Sequence, residues 1–147
     1  MDATDRKILN LLQENARTSL KDLAQQAFIS APTAATRLNH LEQTLLHGYQ
    51  AQIDYKALGY VIKAYVSLDL SPTEKPEFYR FVAGTPNVLE CDCITGQYSM
   101  IMKVIYRSTE ELDDFINHLQ QFGRTTTQIV FSNVVADRGM QIEDQEH

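Results

Sequence analysis

The stretch Val88-Leu89-Glu90-Cys91-Asp92-Cys93-Ile94-Thr95-Gly96-Gln97-Tyr98-Ser99-Met100-Ile101-Met102-Lys103-Val104-Ile105-Tyr106 decides the fold. Both flanks are rich in β-branched and apolar residues, and Gly96-Gln97 offers a tight connection, so residues 88–95 and 98–106 predict two hairpin-paired strands. One step outward on each side lies a helix. Glu74–Ala83 carries Phe78, Phe81 and Val82 at helical spacing and breaks at Gly84-Thr85-Pro86. Ser108 with Glu111 at N3 predicts a capping box for a helix that turns Leu112, Phe115, Ile116 and Leu119 inward and stops at Gly123. Outermost lie Val61–Leu70, closed by Ser71-Pro72, and Thr125–Val135, both strand-like. The order β-α-β-β-α-β is the ferredoxin-like split arrangement, within an α+β chain.

Residues 1–47 read as helices only. Ile8, Leu9, Leu11 and Leu12 mark the first. Ser19 with Asp22 opens a second that turns Leu20, Leu23, Ala24 and Ala27 inward, and Phe28-Ile29 makes a short turn. Ser30, followed by Pro32 in the first turn, opens a third with Ala34, Leu38, Leu41 and Leu45 in one stripe. These lengths suit a helix-turn-helix, whose second helix enters a DNA major groove. Opposite the stripe stand Pro32, Thr36, Asn39 and His40, with Thr33 and Arg37 on the shoulder: short hydrogen-bonding groups, an apolar surface for a thymine methyl, and a guanidinium. The same pattern also fits a helical bundle that contacts protein, as part of an effector-binding scaffold.

Between the two parts, Tyr49, Ala51, Ile53 and Tyr55 alternate with Gln50, Gln52 and Asp54, which predicts a linker strand within residues 48–60. The expected organisation is a helix-turn-helix domain at 1–47, that linker, a βαββαβ domain at 61–139, and a frayed polar tail at 140–147. Charge divides along the same line. The net charge of −6 argues against a polyanionic partner, yet residues 1–47 carry five Lys/Arg against five acids, and residues 48–147 carry eight against fourteen. The acidity belongs wholly to the second part.

Gly96 between two strands allows a turn whose N–H groups can face an anion such as an amino-acid carboxylate. Thr125, Thr126, Thr127 and Gln128 open the last strand with hydroxyls and an amide. Since that strand lies at a sheet edge, the two polar patches are expected to meet only across a subunit interface. A plain hairpin tip and a strand rich in threonine explain the same residues without a ligand. Cys91 and Cys93 share one strand face and read as buried thiols rather than zinc ligands, because no second ligand pair exists. No phosphate-binding glycine loop and no Gly-x-Ser-x-Gly elbow is present, so the chain is not read as an enzyme. Asp2 and Asp5 follow Met1 where a signal sequence would be basic and apolar, so the expected location is cytoplasmic, with no membrane partner.

Asp5-Arg6-Lys7-Ile8-Leu9, Leu12, Asn15-Ala16-Arg17, Leu23-Ala24, Ser30, Arg37 and Leu41-Glu42, then Gly48-Tyr49, Ala51, Thr95-Gly96-Gln97-Tyr98, Glu111-Leu112, Phe115 and Ile129-Val130 together resemble the Lrp/AsnC ("feast/famine") transcription regulators. The resemblance covers nearly the whole chain. It implies a helix-turn-helix (winged-helix-like) domain joined to a ferredoxin-like βαββαβ (RAM) domain. It also implies homodimers assembling to octamers, and an amino-acid effector rather than a cofactor or metal. The expected readers of double-stranded DNA are Ser30, Pro32, Thr33, Thr36, Arg37 and His40, with Arg17 and Lys21 toward phosphate. By the same resemblance, Gly96, Gln97, Tyr98 and Ser99 form one wall of an effector cleft, and Thr125, Thr127 and Gln128 of a neighbouring dimer form the other. No charged partner is evident near Gly96–Ser99, which favours a leucine- or methionine-type effector. Two departures stand out: Ser99 replaces an acid common in the family, and Leu41-Glu42-Gln43-Thr44 runs into Leu45-Leu46 one residue early.

Overall fold

Asp2 opens the first helix of the protein, whose computed structural model describes residues 1–144. In α1 (Ala3–Glu14) the Asp2 carboxylate accepts the Asp5 N–H at 2.9 Å and the Asp5 carboxylate accepts the Asp2 N–H at 3.4 Å, a reciprocal capping box. Ser19 caps α2 (Leu20–Gln26), and Ser30 caps α3 (Ala31–Thr44) with Pro32 in its first turn. Ile8, Leu9, Leu11, Leu12, Leu23 and Leu41 form the core of this unit. Leu20 and Leu45, both expected inward, are exposed. The shortened sequence after Glu42 explains Leu45: α3 stops at Thr44, the N–H groups of Leu45 and Leu46 both bond the Leu41 carbonyl at 2.8 Å, and Leu46 takes the inward place.

The described chain divides into two compact units, residues 1–52 with 135–144, and residues 53–134. The expected frayed tail is therefore corrected over Met140–Asp144. The Asn10 side chain accepts the Ile142 N–H at 2.9 Å and donates to the Ile142 carbonyl at 3.0 Å, and Ile142 packs on the helical core. Gln13 donates to the Met140 carbonyl at 2.8 Å, and Arg6 pairs with Asp144. One apolar side chain and a satisfied backbone suffice to hold a polar segment. Residues 145–147 of the expected tail lie outside the described residues.

The expected linker strand is not formed in the single chain. Residues 48–60 make no ladder, and Tyr49, Ile53 and Tyr55 stay exposed. Alternation specifies two faces but supplies no partner, and a lone strand leaves its N–H and C=O groups to water. Local turns close the segment instead, with the Asp54 carboxylate accepting the Ala57 N–H at 3.1 Å.

The second unit has the predicted order: β1 (Ile62–Leu70), α4 (Lys75–Ala83), β2 (Val88–Cys93), β3 (Met100–Tyr106), α5 (Thr109–Leu119) and β4 (Gly123–Ile129). The strands lie as β2-β3-β1-β4, each pair antiparallel. Alternate residues of β1, Ala64, Val66, Leu68 and Leu70, point to one face, where Phe78 of α4 and Leu112, Phe115 and Leu119 of α5 cover them. The opposite face carries Lys63, Tyr65, Ser67 and Asp69.

Three local expectations are corrected. β4 ends at Ile129 rather than Val135, because β1 begins at Ile62 and offers only one further rung, Val130 N–H to the Lys63 carbonyl at 2.9 Å. Ser108 caps α5, but Glu111 accepts the Arg107 N–H at 3.2 Å rather than that of Ser108. Cys91 is half-buried against the core, and burial raises its thiol pKa. Cys93, at the end of an edge strand, is exposed.

Candidate functional site

The outer surface of α3 presents Pro32, Thr33, Thr36, Asn39 and His40 to solvent. The Ser30 and Thr36 hydroxyls are held by hydrogen bonds within the helix. Ser30 Oγ accepts the Thr33 N–H at 3.3 Å and donates to Thr33 Oγ1 at 2.8 Å, and Thr36 Oγ1 donates to the Pro32 carbonyl at 3.1 Å. Each hydroxyl keeps an acceptor lone pair for a base-edge donor. Among the described α-helices, α3 is the one without an acidic residue in its first turn. Its positive dipole end therefore stays available to an anion. Arg17 and Lys21 are exposed, with no ion-pair partner among the described residues.

Arg37 departs from its expected place in this set. Its guanidinium bonds both Asp2 oxygens, at 2.8 and 2.7 Å, and Asp5 Oδ1 at 3.1 Å. The hydrogen bond from Arg37 and the Asp5 N–H hold the Asp2 carboxyl below its ordinary pKa, and the same carboxylates raise that of Arg37. The guanidinium thus ties α3 to the start of α1, and its charge is already compensated. The sequence separation of 35 residues hides this pair from any local pattern.

At one end of the sheet, the β2–β3 turn meets the start of β4 within a single chain, a contact expected only across a subunit interface. Only β1 separates β3 from β4, and its Leu68 pairs with Met100 on one side and Thr125 on the other. The Tyr98 hydroxyl bonds Thr126 Oγ1, and the Arg124 guanidinium lies 5.8 Å from the Tyr98 ring centre. Arg124 also approaches Asp69 at 3.9 Å. Gly96, at φ 109°, shapes the exposed turn that carries Gln97.

Strand register separates the expected effector residues. Thr125 and Thr127 pair with Leu68 and Val66 and so share the helix-covered face. Gln128 pairs with Tyr65, and Thr126 with Ser67, on the open face beside Tyr98. Arg124 and Asp69 stand beside Thr126 here although no local pattern marks them as ligand contacts; only the register reveals them. Ser99 is diverted as well. Its hydroxyl accepts the Leu70 N–H at 3.0 Å and lies 3.4 Å from the Leu68 carbonyl, while its own N–H donates to that carbonyl at 3.0 Å. Ser99 pins the turn to β1. In the helical unit, a cavity of about 800 Å³ bordered by Leu9, Leu12, Leu46, Tyr49 and Ile142 holds none of the expected effector residues.

Residues 1–42 match the model of an AsnC-type helix-turn-helix domain, and residues 63–140 match that of an Lrp/AsnC ligand-binding domain. YezC of Bacillus subtilis (strain 168), described as an uncharacterized HTH-type transcriptional regulator, is 35% identical over 134 residues, covering 90% of this chain and 95% of its own. The structure of LrpC from B. subtilis aligns with a TM-score of 0.89 at 25% identity, over 93% of this chain and 99% of that one. A transcriptional regulator of Neisseria meningitidis, solved as its L-Met complex, shares the fold with a TM-score of 0.88 at 21% identity, over 97% and 96% of the two chains.

Proposed function

Because this chain belongs to the Lrp/AsnC family of transcription regulators, a family of DNA-binding proteins and not of enzymes, we propose that α3 reads specific duplex sites and that an amino acid bound at the open-face end of the sheet modulates this. The observation that carries the DNA reading is the exposed, acid-free first half of α3, with Pro32, Thr33, Thr36 and His40 at one surface. Arg17 and Lys21 supply phosphate contacts. The expected result is that Thr36→Ala with His40→Ala weakens binding to a duplex selected from a random pool by roughly 10–100-fold, the cost of removing one or two hydrogen bonds to base edges. Binding to unselected duplex stays unchanged. Fluorescence anisotropy measures both, and undiminished selected-site binding defeats the assignment.

For the effector, Arg124 and Asp69 supply opposite charges for the carboxylate and ammonium of a free amino acid. Thr126, Gln128 and the Tyr98 hydroxyl orient it, and the Gly96–Gln97 turn borders it. Asp69 then does the work of the acid that Ser99 replaces. The other ion pair of the open face, Lys103 with Glu90 at 3.3 Å, lies across β1 from β4 with its charges already joined, which supports an effector of leucine or methionine type. The L-Met of the Neisseria regulator is the first compound to try. Isothermal calorimetry is expected to show binding that Thr126→Val with Tyr98→Phe weakens roughly tenfold, the value of about 1.4 kcal/mol in lost hydrogen bonding. No heat with any standard amino acid would sink the proposal.

The unpaired alternating segment at 48–60 supports assembly through a second copy, as a homodimer and then an octamer. Among the described residues no helix is long and apolar enough to cross a membrane. A regulator of DNA works in the cytoplasm, the location proposed here.

A further inference from the structure

Phe28 occupies the turn between α2 and α3 with φ 57°, and it is the one residue other than glycine with a positive φ among the described residues. Its side chain is 92% exposed. Its neighbours on either side, Ala27 and Ile29, both pack on the helical core. Backbone bonds hold the turn: Phe28 N–H to the Gln25 carbonyl at 3.3 Å and Ile29 N–H to the Ala24 carbonyl at 3.0 Å. Phenylalanine here is doubly unfavourable in the free protein. The left-handed backbone disfavours a bulky side chain, and the ring gains no burial. Glycine would make the same turn without either cost, so within the folded chain the ring serves nothing.

The location indicates what the ring meets. Two residues later Ser30 caps α3, and the exposed Pro32 and Thr33 follow in its first turn, so Phe28 borders the surface assigned to DNA and lies inside the matched helix-turn-helix domain. We infer that Phe28 is a DNA contact, its ring packing on the apolar face of a deoxyribose in the strand that flanks the groove entered by α3. This rests on the DNA reading above. Sugars are the same at every step, so the contact adds affinity without choosing sequence. An apolar contact releases no counterions, so its contribution is independent of salt, unlike that of Lys21.

The test compares Phe28→Gly, Phe28→Asn, Lys21→Ala and Thr36→Ala in the full chain, by anisotropy on a selected duplex and on a mixed-sequence duplex across a salt series. Both Phe28 variants tolerate a positive φ. They are expected to weaken binding to both duplexes roughly tenfold, with the slope of log K against log salt unchanged and the Tm equal to or above that of the parent. Lys21→Ala is expected to reduce that slope by about one. Unchanged affinity in the Phe28 variants overturns the inference, as does a loss that appears only with a lower Tm. A changed oligomeric state on sizing overturns it too, because the ring's partner is then a second copy. If Thr36→Ala weakens selected-site binding and Phe28→Gly does not, only this inference falls. If the parent binds no duplex, the DNA reading falls with it.

Discussion

Leu41→Ala is expected to unfold the helical unit and abolish DNA binding while the βαββαβ unit keeps its sheet. Leu41 is 1% exposed and joins α3 to a small cluster with Ile8, Leu9, Leu11, Leu12 and Leu23. Removing a buried leucine costs about 2–5 kcal/mol, toward the upper end where the surroundings cannot collapse into the cavity. Domain stability amounts to roughly 0.05–0.15 kcal/mol per residue, so a unit this small holds only a few kcal/mol in reserve. The two quantities are equal in size, and the unit crosses its threshold. Circular dichroism is expected to show lost helix at a temperature where the parent is intact, with anisotropy at baseline and effector heat retained. A single cooperative transition with DNA binding preserved would refute the separation of the two cores.

Gly123→Ala is expected to do the reverse. Gly123 starts β4 opposite Leu70 at φ 154°, and a Cβ there would overlap the Asp69 carbonyl group. Backbone strain at such a φ costs about 1–3 kcal/mol, and a steric overlap that backbone must relieve costs about 1–3 more. The sum, roughly 2–6 kcal/mol, falls on the strand that carries Arg124 and Thr126. Effector binding is therefore expected to vanish, with a lower Tm for the sheet and an unchanged helical unit. Gly96→Ala is the internal control: at φ 109° an added Cβ meets nothing within 4 Å, so only the backbone strain applies. Equal destabilisation by the two substitutions would show that contact with Asp69 is not the cause.

The order of elements was legible because each signal is local. The Ser30 cap, Pro32 in the first turn, the Gly96-Gln97 connection and the Phe78 and Phe115 helices all act within a few residues. The polar character of this end of the sheet was legible, and the face each residue occupies was not. Hydroxyls at the start of β4 announce polar chemistry, but their side is set by pairing with Val66 and Leu68, and a shift of one residue exchanges Thr125 and Thr127 for Thr126 and Gln128. Arg37 shows the same limit on α3. Its wheel position suits DNA, yet two carboxylates at the start of α1 claim it.

From its sequence alone the chain could be resolved into a three-helix reader of zero net charge and an acidic βαββαβ sensor, because periodicity, caps and turn residues are written within single elements. Tertiary structure alone decided that Met140–Asp144 return to α1, that Ser99 serves the β1 backbone, and that Tyr98 meets Thr126 in one chain. Those are partnerships between distant segments. Asn10 and Ile142 lie 132 residues apart, and what joins them is the packing of complete surfaces, which no local signal encodes.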